Sequence, residues 1–286
     1  MDEQQILKKL NKIRDIPTLP TIVFELNNHL DNPDASIANV TETIERDQAI
    51  ALKVLKLVNS AFYGFKSTIS DVRHALVMLG FVAVRNVIIS VSIINSLPRK
   101  SSCQDFKMDA FWRHSLAVAV TSKNIAQKTG LELPDNCFVG GLLHDVGKVI
   151  LAQYFQDLFV KVWTYMQTES LSFYEAEKHE SPTDHAVIGA HLAERWALPS
   201  GLIEVIRCHQ DYHPEITNAN FVLIIYLANV LVNSYDKNPD CVIDPATMHP
   251  NAVKFLMDQV EDIGDWYDSL TEEIEAANSL FLDPEF

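Results

Sequence analysis

The sequence predicts an all-α protein. Apolar residues recur at the three- and four-residue spacing of amphipathic helices along most of the 286 residues. Residues 87–94 form a β-branched run, but no neighbouring segment offers a partner strand, so we expect a buried helix there. A polar segment without periodicity, residues 98–104, divides the helical pattern. We therefore predict two helical lobes, over residues 1–100 and 105–286.

Start and stop signals define the helices of the N-terminal lobe. One apolar stripe is formed by Ile37, Val40 and Ile44. Asp47 can cap the helix that follows this stripe. Ser70-Asp71 opens a further helix, and Gly80 stands at the position where a glycine commonly ends one.

The C-terminal lobe is expected to be a helical bundle. Its helices are predicted over residues 109–129, 135–152, 154–169, 182–196, 200–208 and 219–235, and from about residue 263. Ser181 is expected to cap the helix that begins at Pro182, because proline suits the first helical position. The longest apolar run, residues 221–232 with Asn229 inside it, is too short to span a bilayer and predicts a buried helix.

Composition and charge argue against several classes of protein. The formal net charge is −15, and residues 255–286 hold ten acidic residues and no Lys or Arg. Such a balance does not favour binding to phosphate backbones or anionic membranes, so we expect neither nucleic-acid nor membrane partners. The four cysteines form no CxxC pair, which argues against a zinc ribbon. With no signal-peptide pattern at the N-terminus, we expect a cytoplasmic protein with reduced thiols.

The most informative segment is residues 141–148, in which His144 and Asp145 interrupt an apolar helical run. Burying an imidazole beside a carboxylate is costly unless each side chain has a partner. A divalent cation satisfies both side chains, since imidazole nitrogen and carboxylate oxygen are ordinary metal ligands. The sequence therefore predicts a metal site at this pair, with further ligands supplied from elsewhere in the chain.

Four other side chains are of a type that could complete such a site. They are His114, His185, His209 and Asn229. Gly189, one turn after His185, would permit a neighbouring helix to approach closely. Each of the four has an ordinary explanation when it is taken alone, because a single histidine or asparagine in a helix is more often a hydrogen-bonded core residue than a ligand. Only their combination favours a metal site.

This combination resembles the HD superfamily of metal-dependent phosphohydrolases, which is named for its histidine–aspartate pair. The residues that match the order of that family's ligands are His114, His144, Asp145, His185 and His209. More closely, the chain resembles the HDOD subgroup, the HD-related output domain of bacterial signalling proteins. That likeness extends from about Pro17 to Val232, and the segments that carry it are Leu19-Pro20 and residues 57–64, 75–80, 111–115, 141–148, 184–190, 196–199 and 206–209.

The resemblance implies a pocket for one or two divalent ions, of manganese, iron, magnesium or zinc. The ligands implied for one ion are His114, His144, Asp145 and Asn229. Those implied for a second ion are His185 and His209, with Asp145 bridging the two. If the site is a catalyst, the resemblance implies phosphohydrolysis by a metal-activated water, with Asp145 and Lys148 as catalytic residues. Lys148 and Arg113 would then contact the phosphate, although Lys148 could equally be a solvated lysine and Arg113 could point away.

Two departures from the family pattern weaken the case for catalysis. Asn229 stands where the late aspartate belongs, so one charged ligand is lost. Gln210 replaces the second consecutive histidine of relatives that degrade cyclic-di-GMP, and residues 211–216 lack their Gly-Tyr-Pro signature, so that activity is not expected. We therefore predict a signalling or regulatory module with a degenerate metal-capable pocket, acting through protein partners or a small phosphorylated ligand. The alternative is a metal-dependent phosphohydrolase acting on a nucleotide or another phosphorylated small molecule.

Overall fold

The computed structural model of the chain describes residues 2–13, 15–30, 36–60, 63–65, 67–98, 100–213, 215–237, 250, 254 and 263–283. Over these residues every regular element is a helix, which confirms the predicted all-α class. The helices are α1 (Glu3–Lys12), α2 (Thr21–Leu30), α3 (Ile37–Glu45), α4 (Gln48–Val58), α5 (Val72–Leu79), α6 (Phe81–Ser96), α7 (Met108–Thr129), α8 (Pro134–Leu143), α9 (Val146–Tyr154), α10 (Gln156–Glu169), α11 (Phe173–Glu180), α12 (His185–Arg195), α13 (Ser200–Cys208), α14 (Ala219–Lys237), α15 (Ile263–Asp268) and α16 (Thr271–Phe281).

The β-branched run at residues 87–94 lies inside α6, so the prediction of a buried helix is confirmed. This helix is buried around most of its circumference, which is what an apolar sequence without a polar face requires. It packs against α2, α4 and α5 and also against α8. Helix α6 thus connects the early helices to the later ones, and the division into two lobes at residues 98–104 stays a prediction.

Side-chain caps begin α4 and α5 at the predicted residues. Asp47 Oδ1 accepts a hydrogen bond from the backbone N–H of Ile50 at 3.1 Å, and Asp71 Oδ1 accepts one from His74 at 2.7 Å. Gly80, at a φ of +83°, ends α5 and starts α6. No single helix in the described ranges is long and apolar enough to cross a membrane; α5 and α6 meet that test only in combination, and they are bent by 119° at Gly80.

Hydrogen bonds connect the first residues of the chain to its second half. The indole nitrogen of Trp196 donates to the carbonyl of Pro17 at 2.8 Å, and the hydroxyl of Tyr154 donates to the carbonyl of Asp15 at 2.7 Å. Both acceptors lie in the irregular segment between α1 and α2, and buried carbonyls outside helices need such partners. The N-terminal segment therefore packs directly on the helices that carry the candidate site.

Most predicted helix boundaries hold to within two residues, but two features of the helices differ more. The helix expected at Pro182 begins instead at His185, because Asp184 is the N-cap and accepts from the backbone N–H of Val187 at 2.9 Å. Ser181 ends α11, since its backbone N–H bonds the carbonyl of Glu177. The single helix expected over residues 135–152 is also wrong: it is divided into α8 and α9.

The predicted tail helix consists of α15 and α16, and residues 255–262 and 284–286 of the acidic stretch lie outside the described residues. Helix α16 packs on α7, where Asn124 Nδ2 donates to Glu273 Oε2 at 3.0 Å. Asp283 pairs with Lys56 of α4 at 3.1 Å. The tail therefore contacts both early and late helices. Of the cysteines, Cys241 lies outside the described residues, and the described ones are free thiols.

Candidate metal centre

The His144-Asp145 pair occupies the break between α8 and α9. Helix α8 ends at Leu143 and α9 begins at Val146, with Asp145 at φ −99° and ψ 7°. In a continuous helix two adjacent side chains would diverge by roughly 100°. At this break they converge instead, so that His144 Nε2 lies 3.3 Å from Asp145 Oδ2.

The break between α8 and α9 is held close to α12 by a contact between the main chains of α9 and α12. A Cβ atom on Gly147 would lie 1.9 Å from the carbonyl oxygen of His185 and 2.8 Å from the backbone nitrogen of Gly189. Helices α9 and α12 therefore touch backbone to backbone at this point. The close approach expected at Gly189 is present, and it brings the start of α12, with His185, onto the His144-Asp145 pair.

The two carboxylate oxygens of Asp145 face two groups of imidazole nitrogens. Oδ2 lies 3.3 Å from His144 Nε2 and 3.7 Å from His114 Nε2, and these atoms are called the outer half of the centre. Oδ1 lies 3.0 Å from His185 Nε2 and 3.4 Å from His209 Nε2, and these are called the inner half. Within each half all donor atoms lie within 4.8 Å of one another, as the ligands of one ion must. The outer half is so named because His114 is 18% exposed.

Four separate segments deliver these side chains. His114 comes from the first half of α7, His144 and Asp145 from the α8–α9 break, His185 from the first position of α12, and His209 from the C-cap of α13. Apart from His114, these side chains are almost completely buried. The structure thus brings together every histidine and the aspartate that the sequence predicted as ligands.

The Nδ1 atoms of His144 and His209 are fixed by hydrogen bonds to main-chain carbonyls. His144 Nδ1 donates to the carbonyl of Gly141 at 2.6 Å, and His209 Nδ1 donates to that of Ile206 at 2.9 Å. A neutral imidazole with its proton on Nδ1 carries a lone pair on Nε2. In both residues Nε2 points to Asp145, so these bonds select the tautomer that can bind a metal ion.

His185 is supported from behind by Glu177, a residue that the sequence prediction missed. Glu177 Oε2 lies 2.6 Å from His185 Nδ1, and Oε1 accepts from the backbone N–H of His185 at 2.8 Å. Burial opposes a charge on this imidazole, but the Glu177 carboxylate, with a contribution from Asp145, raises the pKa of His185 to about 9. A carboxylate behind a ligating histidine is the usual outer-shell partner in metal sites.

Burial leaves polar atoms of the centre without protein partners. His144 Nε2 and Asp145 Oδ1 are inaccessible and have no hydrogen-bond partner, since the 3.0 Å contact of Oδ1 with His185 lacks hydrogen-bond geometry. Burial also lowers the pKa of His114 to about 3 and that of His209 to about 4, which leaves both rings neutral at neutral pH. Buried lone pairs without a donor, here those of His144 Nε2 and Asp145 Oδ1, are costly. The residues therefore fit a divalent cation with nitrogen and oxygen ligands.

Lys148 contributes a positively charged ammonium to the outer half of the centre. Its Nζ lies 2.6 Å from Asp145 Oδ2 and 5.5 Å from the ring centroid of Phe173. Burial alone would raise the pKa of Asp145, but His144 and Lys148 together hold it well below its usual range. Asp145 is therefore an ionised carboxylate inside an apolar interior.

Of the predicted site residues Asn229 and Arg113, Asn229 lies at the centre and Arg113 does not. Asn229 lies beside His114, where it slightly raises the pKa of that histidine against the larger effect of burial, and its Oδ1 accepts from Asn233 Nδ2 at 2.7 Å. Arg113 does not join the centre: its Nε donates to Asp109 at 3.0 Å on the exposed side of α7. This corrects its expected role as a phosphate contact, because the residue next to His114 on a helix points roughly 100° away.

The sequence profile of the HDOD domain matches residues 16–212. The chain belongs to the HDOD family. It is 28% identical over 219 residues to an uncharacterised protein from Treponema pallidum (strain Nichols), and 29% identical over 119 residues to the uncharacterised protein YuxH from Bacillus subtilis (strain 168). These matches cover 74% and 42% of this chain but only 42% and 28% of the two relatives. The chain thus spans less than half the length of each relative.

Solved structures show the same HDOD architecture. An HDOD domain protein of unknown function from Geobacter sulfurreducens superposes with a TM-score of 0.74 at 26% identity, covering 100% of this chain and 99% of that one. A proposed phosphohydrolase from Shewanella amazonensis SB2B superposes with a TM-score of 0.73 at 20% identity, covering 95% and 97%. At that identity the second likeness concerns the fold alone.

An open cavity of about 660 Å³ leads to the outer half of the HDOD centre. His114, Asp145 and Lys148 lie on its wall, together with the aromatic side chains of Phe111 and Trp163. The wall also carries the polar side chains of Gln104, Asp105, Lys107 and Asn233. A concave site that combines aromatic walls with polar groups is the usual form of a small-molecule site. Ligands in this cavity would therefore meet the Lys148 ammonium and the outer half before any other part of the centre.

Proposed function

We propose that this HDOD chain is a regulatory module that binds a small phosphorylated ligand beside a divalent ion, and that ligand binding rather than turnover is its output. The observation that carries the proposal is the position of Lys148. Its ammonium lies on the wall of the cavity and contacts Asp145 at 2.6 Å, so a positive charge faces an open, partly aromatic site. Phosphate oxygens are the anionic groups that a lysine at such a site binds best.

The same contact argues against hydrolysis. A metal ion that activates water needs a complete set of protein ligands and an open coordination position. In the outer half, which faces the cavity, Asp145 Oδ2 is already engaged by Lys148. Asn229 supplies no negative charge there, and its Oδ1 accepts a hydrogen bond from Asn233. The half of the centre that a ligand can reach is thus poorly equipped to activate water.

Thermal unfolding and phosphate release test the proposal together. With Mn²⁺ present, we expect ATP, GTP, cyclic-di-GMP or inorganic phosphate to raise the Tm of the full chain, and we expect no phosphate release above that of Asp145→Ala. Lys148→Ala should weaken the stabilising ligand by about tenfold or more, because a charge-assisted contact is lost. Arg113→Ala is the matched control, since it removes a neighbouring cation that does not reach the centre. If none of these ligands raises the Tm, the proposal fails.

A metal-dependent phosphohydrolase is the second candidate, and the ligand set favours it. The four histidines and Asp145 are all present and grouped for two ions. Metal-dependent hydrolysis of a nucleotide that disappears in Asp145→Ala would support this candidate and contradict the absence of turnover. The protein partners and the cytoplasmic location expected from the sequence stay predictions.

A further inference from the structure

We propose that the centre holds one divalent ion, in its inner half, and that the ammonium of Lys148 replaces a second ion in its outer half. This inference rests on the proposed function only for the claim that the pocket binds metal. It adds that the ion occupies the inner half and that the ammonium of Lys148 takes the place of the other ion.

Among the described residues, no lysine or arginine pairs with Asp145 Oδ1, the carboxylate oxygen of the inner half. Asp145 Oδ1 is buried without a hydrogen-bond partner, and the Nε2 atoms of His185 and His209 lie 3.0 and 3.4 Å from it. The Nδ1 atoms of both rings are occupied on the far side, by Glu177 and by the carbonyl of Ile206. Two imidazoles and a carboxylate, with outer-shell support in place, form a three-ligand site that suits a zinc-like ion.

The outer half already contains a cation. Lys148 Nζ lies 2.6 Å from Asp145 Oδ2, the oxygen toward which His114 and His144 direct their Nε2 atoms. A lysine ammonium is a compact point charge with three N–H donors, so it can neutralise a carboxylate at a position where a metal ion would otherwise do so. The outer half also carries the neutral Asn229 in place of an anionic ligand.

The charges of the centre favour one metal ion over two. With the histidines as neutral metal ligands, the carboxylates of Asp145 and Glu177 and the ammonium of Lys148 leave one net negative charge. One dication would change this to a single positive charge, whereas two dications would leave three. Uncompensated charge in a buried site is strongly unfavourable. A second ion could therefore enter only if Lys148 moved away from Asp145.

Metal stoichiometry tests this inference without any assay of activity. The full chain would be loaded with Zn²⁺, freed of excess ion, and measured by elemental analysis and native mass spectrometry. We expect one ion per chain in the wild type. His209→Ala should lose that ion, whereas His114→Ala, the matched variant in the outer half, should keep it. Lys148→Met should bind a second ion, because Asp145 Oδ2 becomes available.

Each outcome separates this inference from the proposed function. Two ions in the wild type, or loss of the ion in His114→Ala but not in His209→Ala, would overturn it. A Lys148→Met variant that stays at one ion would show that the lysine does not replace the other. Ligand binding in the Tm assay is measured separately and can fail while the stoichiometry holds. If His209→Ala does not fold by circular dichroism, His209→Gln serves in its place.

Discussion

Glu177 binds His185 through both carboxylate oxygens, one at the ring nitrogen Nδ1 and one at the backbone nitrogen, at 2.6 and 2.8 Å. This double contact fixes the ring and the first turn of α12 with the same side chain. Because Nδ1 is occupied, Nε2 is the ring nitrogen that faces Asp145. The orientation of the inner half therefore depends on a residue that would never touch the metal ion.

Replacing Glu177 with glutamine should weaken metal binding while the fold is kept. An amide of the same size can still accept from the backbone nitrogen, but it no longer supplies the negative charge that makes His185 a stronger ligand. We expect Zn²⁺ affinity to fall by roughly 10–100-fold, measured by competition with a chromophoric chelator. Glu180→Gln is the control, since Glu180 lies on the same helix but pairs with Lys161. Equal affinities in the two variants would contradict the role given to Glu177.

Metal binding should release a proton at neutral pH. Because the pKa of His185 is raised to about 9, its ring carries two protons at pH 7 in the metal-free protein. The Nε2 proton would face His209 Nε2 at 3.3 Å, and a metal ion must displace it. His209 and His114, with pKa values lowered to about 4 and about 3, are already neutral and release nothing.

The sign of the pH dependence follows from that proton. Affinity for Zn²⁺ should rise as the pH increases from 6 toward 9, by about tenfold per pH unit for a one-proton exchange, and should level off above 9. Isothermal titration calorimetry in two buffers of different ionisation enthalpy gives the number of protons released. We expect about one in the wild type and a smaller number in Glu177→Gln. A flat affinity profile across this range would refute the exchange.

The fold and the ligand types could be predicted from the sequence because both depend on local pattern. Apolar spacing and the caps at Asp47 and Asp71 define helices without any knowledge of the partners. The break at His144-Asp145 could not be predicted in this way. The apolar residues before and after this pair continue the helical pattern of the sequence without a stop signal. The helix ends there because α9 is packed backbone to backbone against α12.

Glu177 was missed for a related reason. It lies in a short polar helix, α11, between the equally acidic residues Glu175 and Glu180, and no local feature distinguishes it from them. Only the path of the chain between α11 and α12 places its carboxylate beneath His185. The error at Arg113 was the reverse: its type suits a phosphate, but its direction on α7 does not. The sequence gives the type of each residue, whereas packing decides where its side chain points and which residues support it from behind.

Substituting alanine for Gly147 should destabilise the protein and disturb the centre together. Its Cβ would lie 1.9 Å from the carbonyl oxygen of His185, a main-chain atom that cannot move without shifting α12. We expect a loss of about 3 kcal/mol or more in the free energy of unfolding, measured by urea denaturation, at the upper end of overpacking effects. Gly201→Ala, whose Cβ meets nothing closer than 3.7 Å, is the control and should change stability little. Comparable losses in the two variants would refute the close α9–α12 contact.

Replacing Asn229 with aspartate should tighten binding of a second ion once Lys148 has also been replaced. The substitution places a carboxylate beside His114, in the half of the centre that Lys148 now neutralises alone. With Lys148 in place, one dication already balances the added charge, so Asn229→Asp alone should keep one ion per chain. When Lys148→Met and Asn229→Asp are combined, two dications leave one net positive charge instead of two, and the outer half gains an anionic ligand. Competition with a chromophoric chelator should therefore show tighter binding of the second Zn²⁺ in the double variant than in Lys148→Met. Asn233→Ala combined with Lys148→Met is the matched control, because it removes the hydrogen bond to Asn229 Oδ1 without adding charge. If the double variant binds the second ion no more tightly than Lys148→Met, charge at position 229 does not govern occupancy of the outer half.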